Sequence, residues 1–261
     1  MQYQRDIISS FMNSKCDQHN IEIHENRISW DKKPSLQKAY GYFYSLIAAQ
    51  VDYQLPGVKL EVGSGMGNIK KFIPDCMTSD LFPNPWLDRV ESVYGLNFPD
   101  SSVSNLILFD VWHHLEHPAN ALGEARRVLV PGGKLIIMEP AMSVLGKMVY
   151  GRCHHEPVGF EIPLSARIAD MTQPDSNRYF AAQSSAHRVF KNQEIPKLLG
   201  GWNLQSVKEI TSFAYWGTGG FSGPQLYPDQ LYPLIHGMDK ILRIIPSLFA
   251  ARLLVVLRRT T

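Results

Sequence analysis

An α/β fold, a mainly parallel sheet with helices on both faces, is predicted from three observations. Val58-Lys59-Leu60-Glu61-Val62 is a short strand pattern that runs straight into glycines. Leu106-Ile107-Leu108-Phe109 and Lys134-Leu135-Ile136-Ile137-Met138 are nearly continuous apolar runs, the pattern of strands covered on both faces. Between those two runs, Leu122, Ala125 and Leu129 form an apolar helical stripe. Strand, helix and strand in alternation make parallel pairing the expected solution.

The remaining elements follow in order. Leu36, Tyr40, Phe43, Ile47 and Val51 recur at helical spacing, so residues 1–56 are expected to form a helical cap. Pro56-Gly57 opens the main domain, 57–261. A second strand is expected at Cys76 to Leu81, and the prolines of Phe82-Pro83-Asn84-Pro85-Trp86 argue against a regular helix after it. Pro118 suits the first turn of a helix that Pro131-Gly132-Gly133 stops. Residues 141–188 show no clear strand, and so long a connection reads as a substrate-covering insertion. A short helix at Asn192 to Leu199, a strand at Trp202 to Phe213 and a loop over 214–227 come next. A core-facing helix near Asp229 to Ile245 and a strand near Arg252 to Leu257 complete the pattern.

Composition narrows the function classes. The 261 residues are 44% hydrophobic with a formal charge of +2, enough for one substantial core and too balanced for nucleic acid to be the expected partner. Cys16, Cys76 and Cys153 have no CxxC spacing, so neither a disulfide framework nor a zinc ribbon is expected, and the cytoplasm is the expected compartment. No secretion signal is read at the N-terminus. Arg243, Pro246 and Arg252 interrupt the most apolar stretch before the roughly 20 residues of a bilayer-spanning helix. Peripheral membrane contact by residues 227–257 stays open, because their apolar residues alternate with Lys240 and Arg243.

The most informative segment is Glu61-Val62-Gly63-Ser64-Gly65-Met66-Gly67-Asn68. Glycines suit a tight turn and a backbone that must approach a ligand. Asn68 breaks the GxGxxG dinucleotide fingerprint, and no Lys-Ser/Thr follows to make a P-loop. With Asp80, Asp110-Val111-Trp112-His113-His114-Leu115-Glu116-His117-Pro118 and Glu124 to Gly133 in order behind it, the segment resembles motif I of the class I S-adenosylmethionine-dependent methyltransferases. The likeness spans about residues 58 to 140 and is closest to the small-molecule type.

The resemblance implies a seven-stranded Rossmann-like sheet, S-adenosylmethionine as cofactor and S-adenosylhomocysteine as product. It implies cofactor contacts from Glu61, Gly63, Ser64, Gly65, Gly67, Asp80, Asp110 and Trp112, with Glu61 near the ammonium and Asp80 on the ribose hydroxyls. Ser92 stands where many relatives carry an acid for the adenine amine, and Asp80 follows Gly63 by fewer than the roughly 20 residues of a full strand-helix-strand unit, so the first helix must be short.

His113 and His114 are candidate proton acceptors, with Glu139 and Tyr150 as further bases should the acceptor carry a hydroxyl or a protonated amine. His154-His155-Glu156 lacks HExxH spacing, so no metal is expected. Methyl transfer to a small-molecule, sugar or lipid-linked acceptor is the leading expectation. A non-catalytic binding module on the same fold and an RNA methyltransferase are the alternatives.

Overall fold

The computed structural model describes residues 15–154, 156–165 and 180–260, without the side chains of 15–20. His155 and residues 166–179 of the expected insertion lie outside the described residues, as do residues 1–14 of the expected cap. Strands β1 (Val58–Val62), β2 (Cys76–Asp80), β3 (Arg89–Val90), β4 (Val103–Phe109), β5 (Leu129–Pro140), β6 (Trp202–Thr211) and β7 (Ala250–Arg259) make one sheet in the order β3-β2-β1-β4-β5-β7-β6. Strands β1 to β5 pair in parallel, and β7 lies antiparallel between β5 and β6. The order reverses between β1 and β4. Open α/β sheets bind ligands beyond the carboxyl ends of their strands at such a switch point, and here Gly63 leaves β1 beside Asp110 leaving β4.

Helices cover both faces. On one, α3 (Pro118–Val128) buries Ala121, Leu122, Ala125 and Val128 against Leu106, Leu108, Leu135 and Ile137. On the other, α1 (Lys15–Lys32) leads into α2 (Pro34–Ala48), which buries Leu36, Tyr40, Phe43 and Ile47 against Ile107, Phe109, Ile136 and Met138. Each such large side chain contributes about 1.5–3 kcal/mol on burial. Helix α2 fills a layer that the chain's own crossovers leave thin: after β1 there is only the 3₁₀ turn Asn68–Lys71, and between β2 and β3 the described residues hold no helix. The prolines and the early Asp80 foretell both abbreviations.

Four expectations need correction. The helix expected at Asn192 to Leu199 is instead a π turn, His187–Lys191, and a 3₁₀ turn, Pro196–Leu199, because Pro196 has no N–H to continue a helix. A short helix, α5 (Phe213–Gly217), interrupts the expected loop 214–227, and the Ser212 side chain accepts from Tyr215 N at its start. Helix α4 (Val144–Cys153) lies in the stretch read as irregular, N-capped by Ser143, which accepts from Gly146 N at 3.0 Å. The helix expected at 229–245 is a 3₁₀ turn, Asp229–Leu231, followed by α6 (Tyr232–Leu242), with α7 (Pro246–Phe249) beyond it. It is not core-facing as expected: Leu234, Met238, Ile241 and Ile244 are exposed, and only Tyr232 and Asp239 of α6 are buried.

At the carboxyl edge, Arg252 of β7 is 2% exposed and paired with Asp110. Its Nη2 donates to the Tyr40 and Tyr215 hydroxyls at 3.2 and 3.1 Å, and Phe43, Phe109 and Tyr215 place ring centroids 4.8–5.6 Å from the guanidinium. Removing one partner of a buried pair leaves an uncompensated charge. Arg252→Leu is therefore expected to lower the unfolding free energy by about 3 kcal/mol, the lower end of the usual range because the Asp110 side chain is 31% exposed. Urea denaturation measures this, and the double variant Asp110→Asn, Arg252→Leu is expected to regain part of the loss.

Candidate active site

The glycine loop takes its shape from three left-handed residues, with φ of 75° at Gly63, 52° at Gly65 and 65° at Gly67. A Cβ on Gly63 would stand 2.2 Å from Val111 Cγ2, so the β1 and β4 loops touch through this glycine. A Cβ on Gly67 would stand 2.8 Å from the Trp86 carbonyl oxygen, while Ile23 of α1 approaches Gly65. The amides are already engaged: Ser64 N donates to Ser79 O, Gly65 N to Asp80 Oδ2 at 2.9 Å, and Gly67 N to Ser64 O. The glycines thus contribute backbone conformation and clearance. Ser64 ties β1 to β2, its hydroxyl donating to Glu61 O and accepting from Ser79 N, both at 3.1 Å.

Two acids flank this loop. Asp80 accepts from Gly65 N and from Leu81 N, which fixes its carboxylate at the tip of β2. Glu61 is fully buried, and neither carboxylate oxygen has a hydrogen-bond partner among the described residues. Burial, helped by the Asp80 charge, pushes its pKa up to about 8. A buried carboxyl group without donors is costly unless a ligand supplies them, so Glu61 fits a cationic, hydrogen-bond-donating group. The acid absent at Ser92 has a neighbour in Glu91, but that carboxylate accepts from Asn97 N at 2.8 Å and pairs with Arg89 at 3.0 Å.

Across the crevice, Asp110 has φ 57° and directs its carboxylate to Arg252. Trp112 is 1% exposed and packs on Phe190, with ring centroids 4.6 Å apart. Glu139, fully buried at the end of β5, accepts from Val111 N at 2.8 Å and Trp112 N at 2.7 Å through Oε1. Its Oε2 lies 2.6 Å from His113 Nδ1. One side chain thereby caps the 3₁₀ turn Trp112–His114 and orients the first histidine.

Glu156, from beyond α4, completes the cluster at 3.5 Å from His113 Nε2, 3.7 Å from His114 Nε2 and 3.8 Å from His154 Nδ1. Burial opposes a charge on His113, but Glu139 and Glu156 outweigh it and push the pKa up to about 10. Burial and the neighbouring His113 lower that of His114. Tyr150 is buried, which holds its phenol neutral, well above its ordinary pKa. The sequence reading missed Glu156 and Arg252 as site residues. The pairing of His113-His114 with His154-His155-Glu156 was the one available signal, and it spans too many residues for any spacing rule.

With this geometry in place, comparison with known proteins points to one domain family over the central part of the chain. Residues 60–137 match the model of the methyltransferase domain family. Over this stretch the chain is similar to a methyltransferase domain. No curated protein matches the chain. Among solved structures, the [4+2]-cyclase SpnF is similar at TM-score 0.50 and 15% identity, covering 86% of this chain and 82% of that one. A chain from the complex of the Haloferax volcanii Trm112 methyltransferase activator with a methyltransferase is similar at TM-score 0.51 and 12% identity, covering 91% and 98%. At these identities the likeness shows the fold, and a cyclase on the same fold illustrates why chemistry must be argued from the site.

Glu61 makes a test with a definite sign. Its folded pKa lies above its ordinary 4.5, so the stability it contributes is fully present below about pH 4.5 and is lost as pH rises toward 8. In the absence of ligand, Glu61→Gln is expected to gain on the wild type between pH 5 and 8 by up to about 1.4 kcal/mol per pH unit. Denaturation midpoints across that range measure the difference.

Proposed function

We propose that the domain methylates a small acceptor held between the glycine loop and the Asp110–His114 turn, and that the acceptor is lipid-linked. The observation that carries the cofactor end is Glu61: a buried carboxyl group lacking donors, beside glycines whose missing Cβ atoms keep the loops together. When bound, S-adenosylmethionine supplies an activated sulfonium methyl for in-line displacement. Glu61 would accept from the ammonium of the methionine tail, releasing its own proton to solvent as it ionises. Asp80, held at the tip of β2 by the Gly65 and Leu81 amides, would accept from the ribose hydroxyls. Gly63, Gly65 and Gly67 keep the loop narrow, while Asp110 and Trp112 brace the crevice wall from behind.

At the acceptor end the residues mainly position and exclude water, since the orientation effect alone is worth about 7–11 kcal/mol at its upper range. His114 is the one of the pair that an acceptor can reach, because its side chain is 35% exposed, whereas His113 is clamped between two glutamates.

The lipid-linked acceptor rests on the surface beside the crevice. Ile241 and Ile244 are 69% and 77% exposed, and Leu234, Met238, Ile245 and Leu248 join them. Val144 and Met148 of α4, which packs on α7, add to the same exposed apolar set. Lys147, Lys240 and Arg243 fringe it, and the sole acid in 230–249, Asp239, is buried and accepts from Phe213 N. Aliphatic tips with a basic rim and no exposed acid complement an anionic bilayer surface. Among the described residues no helix is long and apolar enough to cross a membrane.

Two outcomes are expected. S-adenosylhomocysteine raises the melting temperature, with about 2.7 kcal/mol of stabilisation at a hundredfold excess over Kd, and Asp80→Ala weakens binding at least about tenfold. No shift at millimolar ligand contradicts the cofactor site. The protein also sediments with vesicles containing phosphatidylglycerol and much less with pure phosphatidylcholine, and Ile241→Asp with Ile244→Asp abolishes this. Concentration-dependent dimerisation that the same double variant removes, without vesicle binding, would assign the face to a second copy instead.

A further inference from the structure

His113, His114 and Glu156 each bring one ligand atom into a common space, all within 4.8 Å of one another. The geometry at His114 is informative. Its Nδ1 lies 3.1 Å from the Phe180 carbonyl oxygen, which can only accept, so Nδ1 carries a proton and Nε2 is the nitrogen left to ligate a metal. That nitrogen lies 3.7 Å from a Glu156 carboxylate oxygen.

The surroundings of the cluster match what a metal needs. His113 Nδ1 is held by Glu139 at 2.6 Å and His114 Nδ1 by a backbone carbonyl, the outer contacts that orient metal-binding imidazoles. Gln183 donates to Glu156 Oε2, and Gln183 is itself 2% exposed with its Oε1 buried and without a partner among the described residues. Two imidazole nitrogens and one carboxylate are the donor set of open zinc sites. Bonds of about 2.0–2.2 Å would bring the three ligand atoms to roughly 3.5 Å apart, a short contraction from their present positions. Among the described residues, the 35% exposure of the His114 side chain leaves a fourth position accessible from the crevice.

We propose that His113 Nε2, His114 Nε2 and the Glu156 carboxylate bind one divalent transition-metal ion, zinc foremost, with an open coordination position facing the acceptor. The cation takes the place of the proton on His113 Nε2. The sequence expectation of no metal looked for both ligands on one helix, whereas the fold assembles them from the turn after β4 and the segment after α4. The site stands on these residues whether or not the acceptor is lipid-linked.

The test is titration of the chelator-treated full chain with Zn²⁺ alone and with Co²⁺ alone, by calorimetry and visible absorption. The expected result is one equivalent bound at about 10 µM or tighter, with cobalt bands of a four-coordinate site. His114→Ala and Glu156→Gln should each weaken binding at least about tenfold, and Glu139→Gln, acting through His113, about 10–100-fold. The S-adenosylhomocysteine melting shift of His114→Ala, measured in parallel, reports the cofactor site separately. Binding weaker than about 100 µM, or an affinity unchanged in His114→Ala, overturns the proposal. Should Glu156→Gln fail to fold, the partly exposed His114 decides the matter alone.

Discussion

The guanidinium of Arg252 imposes the constraint around which the carboxyl edge of the sheet is arranged. It arrives on β7, pairs with Asp110 at the end of β4, and donates to Tyr40 of α2 and Tyr215 of α5. A charge at this depth is costly unless it is paired, and the groups that pair with Nη1 and Nη2 come from the N-terminal, middle and C-terminal parts of the chain. The pair therefore ties the helical layer, the parallel core and the closing hairpin to one point. It also spends the Asp110 carboxylate on architecture, which leaves His114, in the turn behind it, as the partly exposed side chain of this segment.

Carboxyl groups at this edge differ in role because their surroundings differ. Glu61 is buried, and among the described residues neither carboxylate oxygen has a hydrogen-bond partner, so its proton stays on at neutral pH. Glu139, equally buried, accepts two backbone N–H groups and faces an imidazole. Glu156 meets three histidines at longer range. The first is suited to a cationic guest, the second to holding a loop, and the third to charge that comes and goes.

Local patterns made the sheet legible. The apolar runs at β4 and β5, the glycines after β1 and the stripe of α2 each depend on neighbours within a few residues, and the structure has them where expected. The glycine loop and its two acids were legible for the same reason. What escaped reading is long-range. Arg252 looks in sequence like the polar fringe of an amphipathic strand, yet it is buried because partners 142 and 212 residues away surround it. Glu156 owes its place to a fold that brings the segment after α4 beneath the turn after β4. The exposed side of α6 escaped because an apolar helical stripe looks the same whether a core or another surface covers it.

The sheet order has a consequence for how the molecule is made. Strand β7 lies between β5 and β6 although it follows both in the chain. During synthesis, β6 leaves the ribosome with no edge to join, since the strand that links it to β5 has yet to appear. Strand β7, which emerges after both of its neighbours, thus inserts into the interior of the sheet and carries the guanidinium with it. A nascent chain can hold a nearly finished parallel core, but the carboxyl edge is complete only after translation has delivered β7.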